Sequence, residues 1–331
     1  MRTTFLVRTV VAHVQTWRPY TLCYPALVGA AGAGLVGANR PGEFAAAAAG
    51  PALGWLAGHY LGDYFDRELD AIAKPQRPIP SGRLSATAAL AGGICCALGS
   101  ALVVVTANWR ALVLFALAMA GIVAYSRVCK GRGIAGNVVR GLITVLAFLV
   151  GTMTVHPLPA WPALVLAPLF LLHDTASNLV GAIRDVAGDA AGGYRSVPAR
   201  RGVPYAVRLA LALYCGAIAI AALGALVPLS NRIAYLVMIG CAAGIGVAAI
   251  MPLLDMPPAA TQLRALRAHK LLVIERLVLA CAVLLTGVGV RTAVLVLLPV
   301  LVFSGLTQAL MRSRHELPPT ALGTHRKAYQ S

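Results

Sequence analysis

Acidic residues are scarce: 331 residues carry 11 Asp and Glu against 28 Lys and Arg, and charged residues of both signs make up only 12% of the chain. So little charge does not wet the surface of a soluble protein, and with 59% hydrophobic residues a soluble enzyme is excluded. Aromatic residues are also few, at 6%, and the basic residues are dispersed between apolar runs instead of forming a stripe with interleaved aromatics, which argues against nucleic acid as a partner. The seven cysteines (Cys23, Cys95, Cys96, Cys129, Cys215, Cys241, Cys281) contain no CxxC pair and have no histidine at ligand spacing. They are expected to be buried small hydrophobes. No phosphate-cradling loop and no Ser-His-Asp pattern rises above chance.

What remains is apolar sequence in blocks of membrane-crossing length. Ten candidate spans run over 20–37, 44–65, 86–107, 110–126, 134–155, 161–183, 205–227, 232–252, 271–290 and 292–311, each near the length that crosses a ~30 Å hydrocarbon layer. The first run leads directly into others and has no small-residue cleavage site, so it reads as an anchor and not a removed leader. Basic residues alternate sharply between connections, twenty-three on one side against four (Arg40, Arg110, Arg232, Arg291) on the other. The positive-inside rule then places both ends in the cytoplasm and makes the number of spans even. The expected architecture is all-α: a polytopic helical bundle of nine to ten transmembrane helices around a central cavity, one domain over 1–311, with a basic cytoplasmic tail over 312–331. The four tryptophans (Trp17, Trp55, Trp109, Trp161) suit an aromatic belt, and Glu275 and Arg276 suit pairing or snorkelling at the membrane surface.

Seven of the 11 acids fall in two short windows, Asp63, Asp66, Glu68 and Asp70 in the first and Asp174, Asp185 and Asp189 in the second. Acids beside membrane spans are expensive and face a cavity, an ion path or a partner charge. At ~100° per residue His59, Asp63, Asp66 and Asp70 share one helical face, and Asn178, Asp185 and Asp189 share another. Two facing carboxylate pairs suit a hard divalent cation such as Mg²⁺, whose shell is commonly completed by water and substrate phosphates. Basic residues follow each pair: Lys74, Arg77 and Arg83, then Arg195, Arg200 and Arg201. The plainer alternative for any one pair is a structural ion pair at a wet helix end. Two such pairs on the same membrane face favour a metal-bound diphosphate as ligand.

The stretch from Gly62 to Asp70, followed by Lys74-Pro75-Gln76-Arg77-Pro78 and Ser81-Gly82-Arg83, closely resembles the first signature of the UbiA superfamily of intramembrane prenyltransferases. Arg184-Asp185-Val186-Ala187-Gly188-Asp189 with Gly193-Tyr194-Arg195 resembles the second. Arg18-Pro19, Tyr125-Ser126, Lys130 and Gly136-Asn137 agree more weakly, so that the likeness covers roughly 17–290. The resemblance implies a bundle whose central cavity opens sideways to lipid and an enzyme that transfers a prenyl group from a prenyl diphosphate to an aromatic or other lipophilic acceptor. It also implies residue roles: Asp66, Asp70, Asp185 and Asp189 for two Mg²⁺, and Lys130, Arg77 and Arg195 for the diphosphate. Gly62 departs from the family's usual Asn, and Asp63, His59 or Asn178 are the candidates to compensate. The departure keeps open a membrane terpene cyclase that needs no second acceptor. A transporter is the further alternative, but it would distribute its acids through the depth of the bundle. His173-Asp174 is a candidate acceptor of a substrate proton.

Overall fold

The computed structural model describes residues 2–316 except 228, so most of the expected tail, 317–331 with Arg326 and Lys327, lies outside the described residues. In chain order the helices are α1 Arg2–Trp17, α2 Pro19–Leu35, α3 Pro41–Phe65, α4 Arg67–Ala73, α5 Ala86–Asn108, α6 Leu112–Ala124, α7 Ala135–Thr152 and α8 Trp161–Ala191. They continue with α9 Val197–Arg201, α10 Val203–Leu223, α11 Arg232–Ile250, α12 Thr261–Val288, α13 Val290–Thr307 and α14 Ser313–Glu316. Two-residue strands β1 (Arg132–Gly133) and β2 (Arg195–Ser196) pair in parallel and tie two loops together.

Local chemistry sets the helix ends. Proline stands in the first turn of α2, α3, α8 and α10, where its missing N–H costs nothing. Ser85 caps α5 by accepting from the Ala88 N–H at 3.1 Å. Among the described residues, seven helical stretches have the length and apolar composition to cross a membrane. The longest of them, Ala86–Cys129, is broken at Asn108, whose backbone is extended (φ −162°, ψ 105°). Gly54 of α3 faces Ser100 of α5 and Met119 of α6 together, so the two helices form an antiparallel hairpin. All ten expected apolar runs are helical. Helix α1 was not expected, since the sequence suggests only a basic N-terminal approach there.

Helix α2 lies at the centre, packed against α3, α7 and α12. Glycines make this possible: a Cβ on Gly29 or Gly32 would collide with the backbone of Ala47 or Phe148, and one on Gly287 with the backbone of Gly34. In lipid, where apolar area alone drives no association, such close approach supplies the packing.

Four expectations need correction. Only Cys281 among the cysteines is buried; Cys95, Cys215 and Cys241 lie on outer helix faces, where the neighbour is lipid and a small thiol needs no burial. Helix α12 begins at Thr261, ten residues before the expected span, because Arg264, Arg267, His269 and Lys270 mask its apolar period. Glu275 and Arg276 are therefore buried inside the bundle, not snorkelling at its surface. Trp55 is buried as well, while Trp17, Trp109 and Trp161 are exposed as an aromatic belt requires.

Candidate active site

Helix α3 ends at Phe65, and Asp66 forms a joint with α4 (φ −84°, ψ 0°). Helical bonding survives the joint: the Asp66 N–H donates to the Gly62 carbonyl at 2.9 Å and the Asp70 N–H to the Asp66 carbonyl at 2.8 Å. His59, Asp63, Asp66 and Asp70 consequently line one cavity. Helix α8 continues eight residues beyond its expected span, so the second motif is helical too, and Asn178, Asp185 and Asp189 line the same cavity from the opposite side. This cavity measures about 210 Å³. It lies at the end of the bundle to which the chain's basic-rich connections belong.

Cations cross-link the two motifs. Lys74 Nζ stands 3.1 Å from Asp185 and 3.0 Å from Glu316. Arg77 grips Asp70 through Nη1 at 2.8 and 3.0 Å and reaches Glu316 through Nη2 at 3.3 Å. Arg184 holds its neighbour Asp185 with two bonds, at 2.9 and 2.7 Å, and also lies 3.3 Å from Glu316. Lys130 donates to Asp66 at 2.6 Å and faces the Tyr194 ring at 5.7 Å. Arg18 pairs with Asp63.

These charges perturb one another. Burial works against the Lys130 ammonium, but the adjacent Asp66 carboxylate outweighs it and holds that lysine above its ordinary range. At Lys74 burial wins, aided by the neighbouring Arg77 charge, and the pKa falls below the usual 10.5. Glu316 is buried, which alone would favour its neutral form, yet Arg184, Lys74 and Arg77 hold its carboxyl well below the usual range.

The expected residues divide accordingly. Asp66, Asp70, Asp185, Asp189, Lys130 and Arg77 meet around the cavity. His59 Nδ1–H donates to the Trp17 carbonyl at 2.8 Å, Asn178 accepts from Asn137 at 2.9 Å, and Asp63 keeps one carboxylate oxygen without a hydrogen-bond partner. Arg195 does not join them: it sits on β2, exposed, paired in register with Arg132. Arg184, which the positive-inside count had absorbed, and Lys74, one of the basic residues following the first pair, line the cavity instead. Residues 312–316, expected in the tail, also fold into the site, and Arg312, His315 and Glu316 are buried there. Nothing in the local sequence signals this return. His173 is fully buried with Nε2 against Glu275, itself within 3.1 Å of the Tyr214 hydroxyl, and only Asp174 of the His173-Asp174 pair reaches the cavity.

Two more arginines line the cavity. Arg140 is held by the rings of Trp55 and Tyr125, at 4.5 and 5.5 Å. Arg276, 5% exposed, lies 4.3 Å over the Tyr24 ring with Nε unpartnered. Beyond Trp55 and Arg140 the cavity continues into a narrow apolar crevice of about 40 Å³ past Gly50, Gly54 and Gly58 of α3.

Among the described residues no three carboxylate, imidazole or thiol groups gather as a metal centre. Magnesium needs fewer, since one or two carboxylates with water and substrate phosphates commonly hold it. The donors fit that use: they are hard oxygens facing one cavity, and Asp66 Oδ1 is buried without a hydrogen-bond partner.

The chain is similar to known proteins in sequence and in fold. A digeranylgeranylglyceryl phosphate synthase of Halobacterium salinarum is 36% identical over 179 residues, 52% of this chain, and the match spans 64% of that relative's length. The synthase of the same name from Ignicoccus hospitalis is 32% identical over 226 residues, covering 65% of this chain and 72% of the relative. Among solved structures, one of digeranylgeranylglyceryl phosphate synthase superimposes with a TM-score of 0.64 at 20% identity, over 85% of this chain and 99% of that one. A UbiA homologue from Archaeoglobus fulgidus bound to GPP and Mg²⁺ gives 0.61 at 15% identity, over 81% and 99%. At these identities the structures speak for the fold. The UbiA prenyltransferase family matches residues 22–271, three quarters of the sequence and both acidic motifs, and the chain belongs to that family.

Proposed function

We propose that the protein is an intramembrane prenyltransferase that ionises a prenyl diphosphate and passes the prenyl group to a lipid acceptor bearing a phosphate. The observation that carries this is the convergence of the two acidic pairs, from α3–α4 and α8, on one buried cavity rich in cations. Asp66 and Asp70, with Asp185 and Asp189, would hold Mg²⁺, which when bound neutralises charge developing on the leaving diphosphate. Lys74, Arg77, Arg184 and Lys130 add fixed positive charge at the same place, the kind of preorganised electrostatics that favours ionisation. The bond from the prenyl carbon to the diphosphate oxygen breaks, a bond from that carbon to the acceptor forms, and the acceptor gives up a proton. The crevice past Gly54 and Gly58 takes the prenyl tail, and its apolar walls keep water from the allylic cation.

For the acceptor, the relatives' names favour a glyceryl phosphate over an aromatic ring. Digeranylgeranylglyceryl phosphate carries two prenyl chains on a glyceryl phosphate, so its synthesis adds a prenyl group to a glyceryl hydroxyl. Arg140 and Arg276, held by aromatic rings in the cavity, suit the phosphate of such an acceptor. The basic-rich end carrying the site faces the cytoplasm in this account. Product analysis tests it: the protein with Mg²⁺ and geranylgeranyl diphosphate is given a prenylglyceryl phosphate or an aromatic acid. A prenyl ether from the first is expected. Product from the aromatic acid alone would return the acceptor to that class, and terpene hydrocarbon formed without any acceptor would make the protein a cyclase.

A further inference from the structure

Glu316 lies outside residues 22–271, the part of the chain that matches the family, yet it is seated among the cations of the family's motifs. Lys74 Nζ, Arg77 Nη2 and Arg184 Nη2 approach Oε2 of this one carboxylate at 3.0, 3.3 and 3.3 Å, and the Tyr20 hydroxyl stands 3.5 Å from Oε1. Three cations around a single negative charge are more than a helix-end ion pair requires, and match what one phosphate group presents. The segment bearing Glu316 is short: a π-helical turn, Gln308–Arg312, followed by the four-residue α14. Polar contacts from the site hold it. Arg18 Nε donates to His315 Nε2 at 3.0 Å, Gln76 Nε2 to the His315 carbonyl at 3.2 Å, and Lys270 Nζ to Ser313 Oγ at 2.8 Å.

We infer that Glu316 is an internal stand-in for the substrate's diphosphate, so that residues 313–316 close the anion seat of the free protein and leave it when a diphosphate binds. This rests on the prenyl diphosphate reading of the site. A diphosphate offers the same three cations more charge and more oxygens than a carboxylate, and its arrival removes the ion pairs that anchor the segment. The cost is affinity: only the fraction of molecules with an open seat binds, and the apparent dissociation constant rises by the reciprocal of that fraction.

Binding of inorganic pyrophosphate with Mg²⁺ to the full-length protein and to Glu316→Gln tests the idea, together with hydrogen exchange of the wild type. The variant keeps the side-chain shape and removes the charge; it is expected to bind pyrophosphate roughly tenfold more tightly. In the wild type, saturating pyrophosphate should speed amide exchange in 313–316 while slowing it in 66–85, an opposite response that a merely structural segment would not give. Equal or weaker binding by the variant overturns the inference, and so does unchanged or slowed exchange in 313–316. If the variant does not fold, exchange in the wild type decides alone. Absence of pyrophosphate binding in both proteins would instead overturn the diphosphate reading on which the inference stands.

Discussion

Lys74 Nζ lies 3.1 Å from Asp185, 111 residues further along the sequence, and so joins the two acidic motifs. The pair sits beside Glu316 and Arg184, so the charge on Lys74 helps set both how the motifs meet and how an anion is held. Burial and the nearby Arg77 lower its pKa below the usual 10.5. The protonated form is the one that binds, so kcat/KM for the prenyl diphosphate should hold at lower pH and fall as pH rises through this lowered pKa. Lys74→Arg, whose guanidinium stays charged, should carry the alkaline limb upward. A limb that does not move would remove Lys74 from the anion seat.

Asp63 is buried and pairs with the partly buried Arg18, their side chains 4% and 17% exposed. Asp63→Ala leaves Arg18 short of a counter-charge and should lower stability by about 3 kcal/mol, the lower end for breaking a buried pair because Arg18 keeps some contact with water, along with activity. Gly62→Asn, by contrast, should fold normally and retain or improve turnover, because a Cβ at this position meets nothing within 4 Å. Thermal unfolding and turnover of both variants check the contrast; a dead Gly62→Asn would show that the site has been reorganised around the glycine.

Arg276→Gln separates the two substrates. If Arg276 meets the acceptor's phosphate, the KM for a prenylglyceryl phosphate should rise about tenfold or more, in line with loss of a charge-assisted contact, and the KM for the prenyl diphosphate should stay near its wild-type value. Steady-state kinetics in each substrate gives the answer, and an equal rise in both would place Arg276 with the diphosphate.

Gly54 bears on chain length. A Cβ there stands 3.5 Å from both Met119 and Ser100, ordinary contact, but a phenyl ring would fill the crevice. Gly54→Phe should therefore still accept a short prenyl diphosphate such as geranyl and lose activity with geranylgeranyl, as read by product formation from each. Unchanged use of both chains would put the tail elsewhere.

The helices were legible because lipid demands long apolar runs, and Asp66, Asp70, Asp185 and Asp189 because four-residue spacing survives as one face even through the bend at Asp66. Less legible was anything that depends on which arginine turns inward. Arg195 follows the second pair in sequence but is carried outward by its pairing on β2, whereas Arg184 precedes it and points in. Charge counting explained both equally well. Glu316 had no local signal at all; its role arises from α13 returning the chain to the end where α2 begins, seen in the contact of His315 with Arg18. Glu275 and Arg276 looked like surface charges because the start of α12 is polar. Inside, Glu275 meets His173 and Tyr214, and Arg276 rests on Tyr24.

The central claim is that both acidic pairs serve one diphosphate. It is tested most directly by measuring pyrophosphate release and prenyl ether formation together, with Mg²⁺, geranylgeranyl diphosphate and a prenylglyceryl phosphate, in the wild type, Asp66→Asn and Asp185→Asn. The wild type should release one pyrophosphate for each ether formed and lose both products when Mg²⁺ is chelated. Each substitution should lower both rates by roughly 10²–10³-fold, the scale of a lost electrostatic contact to the transition state. Full turnover by either variant, with the protein present in the membrane at wild-type level, would contradict the claim.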